Sequence, residues 1–147
     1  GLAACCDLVI AAEHASFTSA YTRIGLTPDG SATYFLNRIL GRRRAMELFL
    51  TNRVLSAAEA LDWGLANRVV PGARLLEEAG TLATQLAEGP TGAHGSVKRL
   101  LESAAGESLE SQMELESLAI AAAGVSADGQ EGIRAFVEKR PPRFTGE

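Results

Sequence analysis

"DLVIAAEHASFTSAYTRIGLTPDGSATYFLNRILG", residues 7–41, passes from an apolar run through an acid-bearing turn into a helical pattern. Residues 7–12, "DLVIAA", form a short apolar run with β-branched residues at its centre, which predicts a buried strand. "ASFTSAY" continues as extended chain. From Gly30 to Leu40 the apolar residues Ala32, Phe35, Leu36 and Ile39 fall at helical spacing, and Gly41 stops that helix. A single acid, Asp29, stands between Pro28 and Gly30 where the helix opens. Asp at such a position either caps the first turn or is free for chemistry.

Further along, "RRRAMELFLTN" predicts a second helix. In "SAAEALDWG", Ser56 is followed three residues later by Glu59, a capping box, and Gly64 closes the segment. "LANRVVP" is a short strand ended by Pro71. After Pro71 the pattern changes. "ARLLEEAGTLATQLAEG" is a long helix ended by Gly89; Pro90 starts another, with Val97, Leu100, Leu101 and Ala104 on one face. "SLESQMELESLAIAAAG" and "DGQEGIRAFVEKR" follow as two more. The fold class is therefore α/β, with a mixed α/β part over residues 1–71 and an all-helical part over residues 72–147. No internal repeat or low-complexity tract interrupts it.

Composition narrows the function. Of the 147 residues, 46% are hydrophobic, as in a globular protein. No apolar run approaches a membrane span, and no segment has the three-part layout of a signal peptide. A net charge of -4 supplies no basic footprint for nucleic acid. Cys5 and Cys6 are adjacent, a poor geometry for a disulfide, and read as two small buried apolar residues. With only His14 and His94 beside them, a metal site built on Cys and His is not expected. These features point to a reducing, cytoplasmic setting.

"GLAACC" reads as the end of a buried helix without an N-terminal cap. Two short strands do not make an independent sheet, so the sequence predicts part of a larger fold, or a core completed by another chain.

The order of these segments resembles the second half of the enoyl-CoA hydratase/isomerase (crotonase) superfamily. The run from "GLAACCDLVIAAEHASFTSAYTRIGLTPDG" to "DWGLANRVV" carries the likeness, and "GIRAFVEKRPPRF" resembles the family's C-terminal signature. The resemblance covers essentially the whole chain. It implies the C-terminal part of a ββα spiral core followed by an α-helical oligomerisation region. It also implies an acyl-CoA thioester as substrate, with coenzyme A part of the substrate and no tightly bound cofactor, and a homotrimer or hexamer. The family's shared chemistry is thioester enolate stabilisation by two backbone N–H groups; the resemblance puts both donors before Gly1.

The acids decide the subtype. In the family's hydratases two glutamates hold and activate water, and the matching positions here are Gly1 and Tyr21. Several isomerases instead carry one acid at the "PD" position, which is Asp29. Ring-epoxide isomerases of phenylacetyl-CoA breakdown and Δ3,Δ2-enoyl-CoA isomerases resemble this chain there. One carboxylate moves a double bond if it reaches both carbons. An Asp of ordinary pKa near 3.9 is a weak base, so the reading expects an apolar pocket from Tyr21, Ile24, Leu26 and Tyr34 to strengthen it. Arylacyl-CoA dehalogenases also resemble the chain, with the acid as nucleophile, and a hydratase with an unusual acid set is a further alternative. A non-catalytic assembly module is the alternative of another class.

Other residues have structural readings beside functional ones. Tyr21 either stacks on an acyl group or fills the core. Asp7 is expected to make a structural hydrogen bond, His14 and Glu13 to be solvated, Arg42 to Arg44 to be a solvated helix start, and Trp63 to anchor packing. The resemblance implies that Phe136 and Lys139 lie near the CoA of a neighbouring subunit, an aromatic beside adenine and a cation near phosphate; an ordinary amphipathic last helix is the other reading.

Overall fold

In the computed structural model, which describes residues 1–147, the chain divides into two units, Gly1–Ala79 and Gly80–Glu147. The first runs β1 (Ile10–Ala12), β2 (Ser16–Thr18), a 3-10 turn (Tyr21–Ile24), α1 (Ala32–Thr51), β3 (Val54–Ser56), α2 (Ala57–Asp62), β4 (Arg68–Val70) and a second 3-10 turn (Gly72–Arg74). Helix α3 (Leu75–Ala87) then carries the chain across the division.

Strands β1 and β4 pair in parallel, with Ala11 opposite Val69. Asn67 lengthens that ladder: its Oδ1 accepts from the Val9 N–H at 2.7 Å, and its own N–H donates to the Val9 carbonyl at 2.8 Å. Strands β2 and β3 pair antiparallel, with Phe17 opposite Leu55. Around them lies one apolar cluster that includes Leu36, Leu40, Leu48, Leu55, Ala60 and Leu65, with Phe17, Phe35, Phe49 and Trp63 packed against it. Trp63 is thus the packing anchor the sequence suggests, and the Arg44 and Arg53 guanidiniums stand 5.1 and 4.9 Å from its ring centre.

Helix α1 shows how the pattern makes the packing. Its buried residues are Ala32, Leu36, Leu40, Ala45 and Leu48. The first three repeat every four residues, then the spacing lengthens by one. Gly41 absorbs the step, at φ 72° and ψ 159°, backbone open essentially to glycine alone. The sequence reads Gly41 as a stop between two helices, and the structure bears this out: the helical backbone breaks there, and both halves of α1 keep an apolar face on the core.

Helix α2 opens on the expected capping box. Ser56 Oγ accepts from the Glu59 N–H at 3.2 Å, and the Glu59 carboxylate accepts from the Ser56 N–H at 2.9 Å. That N–H, then Arg53, then the Ser56 hydroxyl hold the Glu59 carboxyl down at about 2.

Residues 1–6 make one hydrogen-bonded turn, with the Cys5 N–H donating four residues back to the Gly1 carbonyl at 3.1 Å, the bond pattern of a helical turn. The burial expected of this segment fails. Cys5 and Cys6 are exposed, not buried; their Sγ atoms bond the Leu2 carbonyl, and of this segment only Ala4 reaches the core. The strand expected over residues 7–12 is confined to Ile10–Ala12, with Leu8 exposed.

The second unit contains α4 (Thr91–Ser103), α5 (Leu109–Val125) and α6 (Ala127–Glu138). Helix α4 packs on α5, and α5 on α6. Gln112 ties the first pair, its amide N–H donating to the Leu100 carbonyl at 3.0 Å while its Oε1 accepts from Ser103 Oγ at 3.0 Å. Ser126 closes α5 and caps α6, its Oγ accepting from the Gly129 N–H at 3.0 Å. Gly129 is required by that corner: a Cβ there would stand 2.0 Å from the Ala123 carbonyl oxygen. Only Asp128 and Ala135 of this unit are buried, whereas Leu101, Ile120, Val125, Phe136 and Val137 are all exposed. No helix of the chain is long and apolar enough to cross a membrane.

Candidate active site

The segment between β2 and α1 is built from three turns. The first 3-10 turn ends at Gly25 in the left-handed region, and the Leu26 N–H returns to the Tyr21 carbonyl at 3.0 Å. Pro28 and Asp29 follow. Gly30 and Ser31 then both take positive φ, 55° and 63°, and swing the chain into α1.

The position of Asp29 answers whether it caps α1. The N-cap residue is Ser31, and no side chain makes a cap hydrogen bond. The backbone carbonyl of Asp29 accepts from the Ala32 N–H at 3.0 Å, but its carboxylate faces elsewhere. Asp29 Oδ1 accepts a hydrogen bond of 2.8 Å from the Tyr21 hydroxyl. The capping reading is therefore overturned: two left-handed residues intervene between Asp29 and the helix, and they take its side chain out of register with the first-turn amides. Tyr21, half-buried, does not fill the core; its hydroxyl is Asp29's partner. The hydrogen bond to Asp29 first, then that carboxylate's charge, hold the Tyr21 phenol above its ordinary 10.0.

Gly1 lies beside the same loop. A Cβ on Gly1 would meet Ala32 Cβ at 3.3 Å and the Gly30 carbonyl oxygen at 3.8 Å. The two positions that resemble the hydratase acids, Gly1 and Tyr21, thus both adjoin the segment that carries Asp29.

The remaining pocket candidates are placed differently. Ile24, Leu26 and Tyr34 are all exposed. Tyr34 sits on the first turn of α1, with the Arg38 guanidinium 3.5 Å from its ring centre and Phe35 edge-on at 5.2 Å. The structure joins Tyr21 to Asp29 and gives Tyr34 to Arg38 and Phe35.

Asn52, which the sequence reading passed over, organises the site from the far end of α1. It ends the helix at φ 52°. Its Oδ1 accepts from the Arg23 N–H at 3.1 Å and from the Thr22 hydroxyl at 3.1 Å, and that hydroxyl also lies 2.7 Å from the Phe49 carbonyl. The 3-10 turn that carries Tyr21 is thereby fastened to α1. A signal existed, since Asn just past a helical run favours the left-handed conformation.

In the second unit Phe136 is 85% exposed. Lys139, also exposed, terminates α6 at φ 53°, with its N–H donating to the Phe136 carbonyl at 3.3 Å. Beyond it the tail folds back. Arg140 pairs in two-pronged fashion with Glu131, at 2.6 and 2.9 Å, and the Arg143 N–H donates to Glu131 at 2.9 Å. Buried Asp128 collects the Thr145 N–H at 2.7 Å and the Gly146 N–H at 2.9 Å. No group of three or more His, Cys, Asp or Glu is arranged to hold a metal ion.

The two strand pairs, the helix broken at Gly41 and the Asp29–Tyr21 pair before it belong to a mixed α/β fold of the crotonase type, one that solved enoyl-CoA hydratase/isomerase structures share. Residues 1–147 match the enoyl-CoA hydratase/isomerase family over their whole length, and the chain belongs to that family. It is 43% identical over 141 residues to the 1,2-epoxyphenylacetyl-CoA isomerase of Escherichia coli strain K12, covering 96% of this chain and 54% of that protein. It is 42% identical over 116 residues to the 4-chlorobenzoyl coenzyme A dehalogenase-1 of an Arthrobacter species, covering 79% of this chain and 42% of that one. The crystal structure of an enoyl-CoA hydratase from Polaromonas sp. JS666 superposes with a TM-score of 0.93 at 36% identity, over 98% of this chain and 56% of the other. The chain spans about half the length of the relatives it matches.

Proposed function

We propose that the protein carrying this chain is an acyl-CoA isomerase in which Asp29 shuttles a single proton. The observation that carries this is the state of Asp29: an exposed carboxylate that caps no helix and holds one hydroxyl partner, Tyr21. On a 3-enoyl thioester the carboxylate takes a proton from C2, the electron pair passes into the thioester as a dienolate, and the same proton returns at C4. The acid ends as it began. Backbone N–H groups aimed at the thioester oxygen stabilise the enolate, as the family's shared chemistry implies.

Water addition fits less well. It needs one group to hold and deprotonate water and another to supply a proton. Gly1 has no side chain, and the Tyr21 phenol is held in its protonated form by Asp29. Coenzyme A is part of the substrate rather than a resident cofactor. We assign Phe136 and Lys139 to contact with the CoA of a neighbouring subunit, the aromatic ring on adenine and the ammonium near phosphate. Exposed Ile24, Leu26 and Tyr34 supply apolar surface for the acyl group. The assembly is a homotrimer or hexamer, and the setting cytoplasmic.

A second reading has its own support in the identity to the Arthrobacter dehalogenase. There Asp29 would attack the ring carbon that bears the halogen, and halide would leave. Turnover of a 3-enoyl-CoA, a 4-haloaryl-CoA and crotonyl-CoA by the full-length protein separates the readings. Double-bond migration lost in Asp29→Asn supports the shuttle; halide release or hydration as the main activity overturns it.

A further inference from the structure

Asp29 is not held by its own loop alone. Its one side-chain partner, Tyr21, belongs to a 3-10 turn of four residues, too short to be rigid by itself. That turn is fastened to the end of α1 at two consecutive residues, through the Thr22 hydroxyl, shared between the Phe49 carbonyl at 2.7 Å and Asn52 Oδ1 at 3.1 Å, and through the Arg23 N–H to Asn52 Oδ1 at 3.1 Å. Asn52 in turn is held in a left-handed conformation at the end of α1, the helix whose beginning follows Asp29. Asp29 is thus tied through Tyr21 and the 3-10 turn to Asn52, which ends the half of α1 beyond the break at Gly41.

From this geometry we infer that Tyr21 and Asn52 are positioning residues for Asp29: the Tyr21 hydroxyl engages Oδ1 and leaves Oδ2 as the proton-carrying oxygen, and Asn52 fixes where that hydroxyl stands. The inference rests on the reading of Asp29 as the proton carrier. A proton shuttle must reach two carbons with one carboxylate, so its orientation matters more than for a group that acts once. A carboxylate on a rotatable bond in an exposed loop has no preferred working oxygen. A donor on one oxygen supplies that preference. Both bonds to Asn52 use its Oδ1 as acceptor, which explains why an amide oxygen suffices there and why the residue must also tolerate positive φ.

The test uses the full-length enzyme and four variants. Tyr21→Phe keeps the ring and removes the donor. Asn52→Gly accepts the positive φ and removes the acceptor, whereas Asn52→Asp keeps an acceptor oxygen in place. Asp29→Asn reports on the underlying reading. Tyr21→Phe and Asn52→Gly are expected to lower kcat about tenfold, the low end for a hydrogen bond to a charged group because Asp29 is exposed. KM should stay within about twofold. Asn52→Asp should restore most of the rate, and the Tyr21→Phe, Asn52→Gly double variant should be little worse than either alone. If Asp29→Asn is inactive while Tyr21→Phe keeps full kcat, the positioning inference falls and the shuttle stands. If Asn52→Gly lowers only the melting temperature, Asn52 is a structural cap and that half of the inference falls. If Asp29→Asn is fully active, the shuttle reading itself has failed.

Discussion

The Tyr21 hydroxyl donates 2.8 Å to Asp29 Oδ1, and nothing on Asp29's side chain serves the helix it precedes. This separates chemistry from stability at a position where the two are usually mixed. An N-cap aspartate replaced by alanine loses about 0.5–2 kcal/mol. Asp29 makes no such bond, so Asp29→Ala should cost no more stability than Tyr21→Phe, which removes the same exposed hydrogen bond, about 1 kcal/mol, while proton transfer falls at least about a hundredfold. Chemical denaturation beside a rate assay checks both. A loss well beyond that of Tyr21→Phe would mean that the carboxylate caps α1 after all.

The same pair has a spectroscopic signature. The phenol of Tyr21 is held above 10.0 because deprotonation would break its hydrogen bond and set two negative charges together. In Asp29→Asn the charge is gone, and the phenol should titrate lower than in the parent. Carbon-13 labelling of the tyrosine ring, with Tyr21→Phe for assignment, follows the titration. An unchanged Tyr21 titration would mean that the bond to Asp29 is not kept in solution.

Gly41 should tolerate no side chain. Nothing lies within 4 Å of where a Cβ would stand, so the obstacle is the backbone alone, at φ 72° and ψ 159°. Such a conformation costs a non-glycine residue about 1–3 kcal/mol. Gly41→Ala should destabilise by that amount, measured in denaturant, whereas Gly80→Ala, in helix α3 with open space around it and no positive φ, should be neutral or stabilising. Equal effects at both sites would show that the break at Gly41 is not fixed.

What could be read from the sequence follows from how local each signal is. Ser56 and Glu59 announce their capping box within four residues, Gly41 marks a break, and Pro71 and Pro90 stand where elements change. Helices α3, α4 and α6 are legible because their apolar residues keep a helical period, whereas α5 carries no apolar stripe. Asp29 stood out, but its role as a cap could be dismissed only once Gly30 and Ser31 were seen to take positive φ. The bond from Asn52 to residues 22 and 23 joins opposite ends of a helix, and no window of sequence contains both. Cys5 and Cys6 misled because small apolar residues imply burial only where another layer covers them.

The exposed faces of the second unit carry an expectation about assembly. Leu101, Leu118, Ile120, Val125, Ile133 and Val137 are more apolar surface than a free helical unit normally presents. With the trimer or hexamer proposed above, these residues should be covered by other subunits. Sedimentation of the full-length protein should give that assembly at micromolar concentration. Leu101→Glu together with Ile120→Glu should shift it toward monomer and lower activity if Phe136 and Lys139 serve a neighbour's CoA. A stable, fully active monomer would remove both the assembly and the shared site.

The tail that folds back on α6 should open in acid. Arg140 first, then the Arg143 N–H, hold the Glu131 carboxyl down at about 2, from its ordinary 4.5. A carboxyl lowered in the folded state contributes stability that is fully present above its unfolded value and lost as pH falls through the folded one. The window here is therefore from about pH 4.5 down to about pH 2. Glu131→Gln keeps the shape and one acceptor but removes the charge that Arg140 grips from both sides. Above pH 5 the variant should melt below the parent, and the difference should close as pH falls through that window. Glu59 is lowered for similar reasons in the first unit, so the parent's own melting temperature will also fall; the gap between parent and variant isolates Glu131. Thermal melts followed by circular dichroism from pH 6 to pH 2 supply the measurement. A gap that is constant across the range would mean that Arg140 contributes shape rather than charge to the clasp.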